Sequence, residues 1–319
     1  MHDRPRRGVA LTPLEPRRDV IVRTARLADE LGYEVFSLAE GWGLDSSVLL
    51  TEIAVSTRRI RLAAGVWSVW GRTPATIAMT AATLDDLSGG RFVLGLGAST
   101  PQLVQGFHAL PYTRPAERLA SSVRAVRALL AGEPVGSIRL GQPPRPDLPI
   151  WVGASSERTM RIAGDLADGW FPLYLSRQRC RDLADELIEG RAPGRSFTVA
   201  AGAFTVVDDH PVVARNAVAA CTARYLTAMG EVYPRVVAAQ GFDDEVRLVQ
   251  AVNTGRPARQ AVVPAEAEAL LTEFTVHGRP RDVQEQLARW DDLVDVTMVA
   301  LPPGLPWTGI EQTLRAAAP

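Results

Sequence analysis

Two apolar, strand-like runs bracket one helical segment between Ile60 and Ala98, the arrangement of a β/α repeat in a parallel sheet. The first run, Ile60 to Ser68, has the composition of a strand buried on both faces. Gly65 interrupts it, where a bulge or a close approach of backbone to a ligand is expected. Pro74 suits a first helical turn, Ile77, Met79, Leu84 and Leu87 supply the apolar positions, and Gly89-Gly90 ends the helix. The second run, Arg91 to Ala98, finishes in small residues. Its carboxyl end therefore offers backbone N–H groups without side chains in the way, a suitable place for an anion.

The same alternation runs through most of the chain. Strands are expected at Gly8 to Leu11, Val35 to Ala39, Pro149 to Ala154, Asp168 to Pro172, Phe197 to Val207 and Thr297 to Leu301. Helices are expected at Arg18 to Leu31, from Ser46 or Ser47 through Val55, at Arg114 to Leu130, from Ser155 or Ser156 to Ala167, and at Glu311 to Ala317. Glu133 to Pro149, rich in Pro and Gly, reads as a connector. From near Pro211 to about Ala269 the pattern is mainly helical, an insertion before the last repeat. With roughly eight alternations in 319 residues, the expectation is one α/β domain over residues 1–319, a TIM (β/α)8 barrel with a helical insertion before the last strand.

Charge and composition narrow the partners. A net charge of −1 gives no electrostatic reason to expect nucleic acid or an anionic membrane. All 35 basic residues are arginine, so lysine Schiff-base and lysine general-base chemistry are excluded. Cys180 and Cys221 form no C-x-x-C pair, Met1 to Arg7 is followed by no apolar run long enough for a signal peptide, and no stretch is long enough to span a bilayer. A cytoplasmic location is the expectation. The four histidines are scattered, and no H-E-x-x-H, cysteine cluster or G-x-S-x-G is present, so neither a metal site nor a serine nucleophile is expected.

Several short motifs together carry a resemblance: Ala39-Glu-Gly-Trp-Gly43, Trp70-Gly-Arg-Thr-Pro74, Met79 to Asp85, Leu87-Ser-Gly-Gly-Arg91, Leu94-Gly-Leu-Gly-Ala98 and Ala167-Asp-Gly-Trp170. In these the chain resembles the luciferase-like monooxygenase superfamily, in its deazaflavin-dependent branch that contains methylenetetrahydromethanopterin reductase. The resemblance implies a bacterial luciferase-like barrel that binds coenzyme F420 at the carboxyl ends of its strands and passes hydride to or from a small organic substrate. It also implies a bulge with a non-prolyl cis peptide at Gly65-Val66 against the ring. Phosphate contacts are implied at Gly97, Ala98 and Ser99 and at Gly153, Ala154 and Ser155, with a homodimer as the usual assembly. The second of these sites has independent support, because a helix amino terminus offers unpaired N–H groups and partial positive charge. Arg72 and Arg158 are candidates to reinforce it.

Glu40 directly follows a strand, the position from which barrels present catalytic groups, and is the first candidate to exchange a proton with substrate. The alternative is a hydrogen bond to loop backbone. Trp42 is a candidate wall for the ring or substrate. His108, shortly after the Gly97 turn, is a second catalytic candidate, although a lone histidine is more often structural. Relatives often carry an acid-histidine pair where Ala39-Glu40 stands and a glutamate where Gln105 stands. Gly95 to Thr100 lacks the third glycine of a dinucleotide fingerprint, which argues against a Rossmann site. Two other functions keep the fold: an FMN-dependent monooxygenase, and a catalytically silent relative. The favoured reaction is reduction of a C=C or C=N bond.

Overall fold

The computed structural model describes residues 4–189 and 196–319, so the first three residues of the Met1 to Arg7 reading lie outside it. Among the described residues ten strands form, in chain order β1 (Arg7–Leu11), β2 (Val35–Leu38), β3 (Arg61–Ala64), β4 (Trp67–Ser68), β5 (Phe92–Gly97), β6 (Ile150–Gly153), β7 (Gly169–Trp170), β8 (Thr198–Val207), β9 (Thr275–Gly278) and β10 (Val296–Leu301). All their pairings are parallel. They run β10-β1-β2-β3-β5-β6-β7-β8, and pairing of β8 with β10 closes the ring. Because β3 and β4 share one position beside β5, the closed barrel has eight staves, with helices packed outside. At the closing seam a side chain on Gly202 would lie 2.0 Å from the carbonyl oxygen of Met298, so glycine is required there.

The third stave is bulged. Ala63 pairs with Val93 and Trp67 with Leu96, so four steps along one strand match three along the other. The extra backbone is Gly65-Val66, joined by a cis peptide bond as the resemblance implied. The surrounding glycines have a steric explanation. A β-carbon on Gly65 would fall 1.8 Å from Ser37 Oγ, and one on Gly97 would fall 2.6 Å from Val66 Cγ2. On Gly95 it would meet the Ala64 carbonyl oxygen at 1.9 Å, and on Gly153 it would reach 3.1 Å from Val66 Cγ1. The glycine pattern of β5 and β6 thus makes room for the bulged strand and the Val66 side chain.

The quoted motifs mostly fasten the scaffold. Gly89 and Gly90, both left-handed, end the helix Pro74–Ser88, and Arg91 then donates to the carbonyls of Ala54, Thr57, Ile60 and Ser88. Asp168 accepts from Ile150 N (3.0 Å) and Arg127 Nη2 (2.7 Å), which holds β6 against β7, while Trp170 Nε1 donates to the Ala154 carbonyl.

Helix starts differ in detail from the expectation. Asp45 caps Ser46–Ser56, because its carboxylate accepts from the N–H of Ser47 and Val48 more strongly than a serine hydroxyl would. Ser156, not Ser155, caps Glu157–Leu166 through a reciprocal box with Thr159. Arg177–Glu189 adds a helix after β7. The insertion after β8 is helical as expected (Pro211–Ala228, Val232–Val237, Asp243–Val252, Glu268–Phe274), but it ends in β9, which extends the outer end of β8. The helix Pro280–Asp291 follows. No helix among the described residues is long and apolar enough to cross a membrane.

Candidate active site

At the carboxyl end of the barrel a cavity of about 830 Å³ opens, a volume typical of cofactor or small-molecule sites. Glu40, Trp42, Gly65, Val66, Gly97, Ala98, Ser99, Gly153, Ala154 and Ser155 all line it. Arg158 lines it too, so of the candidate residues only Arg72 and His108 lie off the lining. His108 is not among the lining residues. Its ring lies against Gly71, where a β-carbon would meet His108 Cε1 at 3.1 Å, and packs edge-on to Phe107.

Around the ring of staves β5 and β6 lie opposite β10 and β1, so the cavity has two chemically different sides. On the β5–β6 side the strand ends contribute only Gly, Ala, Ser and Thr, with Leu103 of the short helix after β5 and Phe107 at its end beside them. The carbonyl of Ala98 is taken by Trp70 Nε1 (3.0 Å) and that of Ser99 by the Tyr112 hydroxyl (3.2 Å), so the turn offers a ligand chiefly its N–H groups and the Ser99 hydroxyl. Ser99 itself sits at φ +59°, the conformation that turns the chain back over the strand end. Next to it, the first turn of Glu157–Leu166 provides N–H groups with no partner inside the helix, and Arg158 lines the cavity with them. Arg158 also reaches Glu117 Oε1 at 3.0 Å, a solvent-exposed pair that contributes little and can rearrange.

Among the described residues, Glu40 and Arg158 are the only ionisable acid or base side chains on the lining besides tyrosines. Arg72, a candidate for the anion, is engaged elsewhere: its Nη2 donates to Glu40 Oε1 (2.5 Å) and Asp45 Oδ1 (3.0 Å). The Glu40 and Arg72 side chains are only 16% and 15% exposed, so water screens this pair weakly. Burial alone would lower the Arg72 pKa, but the two carboxylates outweigh it and raise it. Arg72 is thereby fixed as a permanent cation beside Glu40, its guanidinium 5.1 Å from the centre of the Trp67 ring. Trp42, 47% exposed, forms a lip of the cavity and not a buried wall.

The other side was not foreseen in the sequence. Phe204 from β8, Met298 from β10, and Tyr225, Met229, Tyr233 and Val236 from the inserted helices make it apolar and aromatic. Tyr225 stands at its centre, with ring-centroid separations of 4.9 Å to Tyr233, 5.3 Å to Tyr174 and 5.4 Å to Phe204. Burial pushes the Tyr233 hydroxyl up to about 12, so it remains a hydrogen-bond donor at neutral pH. The available signal was the Tyr225 to Tyr233 spacing within one helical region, but aromatic residues at such spacing ordinarily mean core.

A luciferase-like monooxygenase family profile matches residues 3–296. The chain belongs to the luciferase-like monooxygenase family. It is 31% identical over 314 residues to a Mycobacterium tuberculosis protein provisionally named a coenzyme F420-dependent oxidoreductase, covering 87% of this chain and 88% of that one. It is 27% identical over 286 residues to 5,10-methylenetetrahydromethanopterin reductase of Archaeoglobus fulgidus, covering 82% and 83%. Its fold matches the coenzyme F420-dependent tetrahydromethanopterin reductase of Methanopyrus kandleri with a TM-score of 0.77 at 20% identity, over 98% of both chains.

Proposed function

We propose that this protein is an F420-dependent oxidoreductase, working as one barrel domain, that transfers a hydride between the deazaflavin and a small organic substrate, in the direction of C=C or C=N reduction. The observation that carries this reading is the convergence on one cavity of two small-residue turns, the Gly97-Ala98-Ser99 end of β5 and the Gly153-Ala154-Ser155 end of β6, beside the Val66 bulge. The residues fit the cofactor: the lining glycines keep backbone accessible, a helix amino terminus and Arg158 suit a phosphate, and the cavity is large enough for a fused ring. When bound, F420 supplies a two-electron hydride carrier whose ring carbon, in place of the reactive flavin nitrogen, does not readily activate oxygen.

The protein's own groups do the rest. Gly65 and Val66 would support the ring, and Gly97, Ala98, Ser99, Gly153, Ala154 and Ser155 would hold the phosphate through their N–H groups. Glu40 holds or moves the accompanying proton at its carboxylate, and Arg72 fixes where that carboxylate sits. His108, packed on Gly71 next to Arg72 and off the cavity lining, is the second candidate for that proton. A homodimer in the cytoplasm is part of the same reading; exposed Val48, Val55, Met79 and Leu87 on neighbouring helices support the dimer.

The test is an anaerobic screen following absorbance of reduced F420 against enones, imines and ketones, with oxygen uptake measured in parallel using reduced FMN. Substrate-dependent oxidation of reduced F420 without oxygen uptake is the expected result. Oxygen uptake with FMN alone would replace the reading by a monooxygenase.

A further inference from the structure

Resting on that reading, the geometry points to the substrate class: an uncharged, largely apolar molecule carrying one hydrogen-bond acceptor, seated in the lobe between β8, β10 and the inserted helices, with the Tyr233 hydroxyl donating to the acceptor. The lobe is walled by Phe204, Tyr225, Met229, Val232, Tyr233 and Val236. None of these carries a charge at neutral pH. The two charged lining groups lie elsewhere: Glu40 follows β2 and is neutralised by Arg72, and Arg158 follows β6. A carboxylate or phosphate placed in the lobe would lose its hydration and gain no counter-charge, which is strongly unfavourable. An apolar body of matching size gains from burial against this wall.

The hydroxyls argue for one acceptor on that body. Tyr225 is 2% exposed and the Thr12 hydroxyl lies beside its own, whereas Tyr233 is only partly covered by protein and faces the open cavity. A tyrosine phenol is protonated at neutral pH, so the Tyr233 O–H is available to a carbonyl or imine and repels no neutral ligand. A site built to satisfy such a donor discriminates against ligands that leave it unpaired.

The experiment measures binding of three matched probes by calorimetry, first to the protein without cofactor and then with saturating F420: 2-acetonaphthone, 6-acetyl-2-naphthoate and 2-ethylnaphthalene. The ketone is expected to bind at least about tenfold tighter than its carboxylate analogue in both conditions. Tyr233→Phe is expected to weaken the ketone several-fold and leave the hydrocarbon unchanged, and Val236→Asp or Met229→Glu to weaken both neutral probes. Equal or tighter binding of the carboxylate, binding of no probe, displacement of the ketone by F420, or equal loss of ketone and hydrocarbon in Tyr233→Phe would overturn the proposal. The wild-type comparison needs no variant to fold. If F420 fails to bind while the ketone preference holds, the cofactor reading fails alone; if F420 binds and the preference is absent, this inference fails alone.

Discussion

The two sides of the cavity are built by different means. On the β5–β6 side, function is carried by backbone: glycines admit the Val66 bulge, small residues end the strands, and a capped helix starts nearby. On the β8–β10 side it is carried by side chains, Phe204 of β8 packed with Tyr225 and Tyr233 of the inserted helices. The first side tolerates almost no added atom, and the second loses its shape when atoms are removed. That contrast sets what each substitution does.

The largest effect is expected on the aromatic side. Tyr225→Ala should lower stability by about 3–5 kcal/mol, the cost of emptying a fully packed aromatic position, read from chemical denaturation. Next comes the reverse manipulation at the bulge. Gly65→Ala places its new carbon 1.8 Å from Ser37 Oγ and should cost about 1–3 kcal/mol or more by overpacking. Ser37 Oγ is buried without a hydrogen-bond partner, so Ser37→Ala should be well tolerated and should recover part of the loss in the double variant, where the closest contact becomes 3.0 Å to Phe171 Cε1. A double variant no better than Gly65→Ala would contradict the steric account of the bulge.

Smaller effects separate charge from packing. Arg158→Ala should change stability by no more than about 0.5 kcal/mol, since its side chain is 69% exposed, while weakening F420 binding about tenfold, the equivalent of one charge-assisted hydrogen bond. Arg158→Ala with unchanged cofactor affinity would remove that residue from the site.

The smallest expected effect is a pH dependence far from the cavity. Burial would raise the Asp29 carboxyl, but it accepts from the N–H of Arg58, Ile60 and Arg59, which together hold it below the ordinary carboxylate value. A depressed folded-state pKa contributes stability above the unfolded value near 4 and loses it as pH falls through the folded one. Asp29→Asn should therefore melt below the wild type at pH 7, with the gap closing as the pH is lowered toward 3. A gap independent of pH would assign the effect to shape alone.

The comparison also explains what could be read before the structure. The barrel, the bulge at Gly65-Val66 and the two small-residue turns were legible because glycine, proline and apolar runs encode backbone geometry locally. The Arg72–Glu40–Asp45 triad was not, since pairing across 27 to 32 positions depends on how loops after different staves meet. The cap at Asp45 lay one residue before the serines proposed for it. Nothing in the mainly helical region set Tyr225 and Tyr233 apart, because they become a cavity wall only where the insertion meets the barrel mouth. β9, four residues long, carried too little pattern to stand out from its helical surroundings.

The measurement that tests the central claim most directly is a pair of fluorescence-quenching titrations of the purified protein, with oxidised F420 and with FMN, under identical conditions. The account predicts saturable F420 binding at least about tenfold tighter than FMN, weakened in Arg158→Ala. Preference for FMN, or binding of neither, would contradict it.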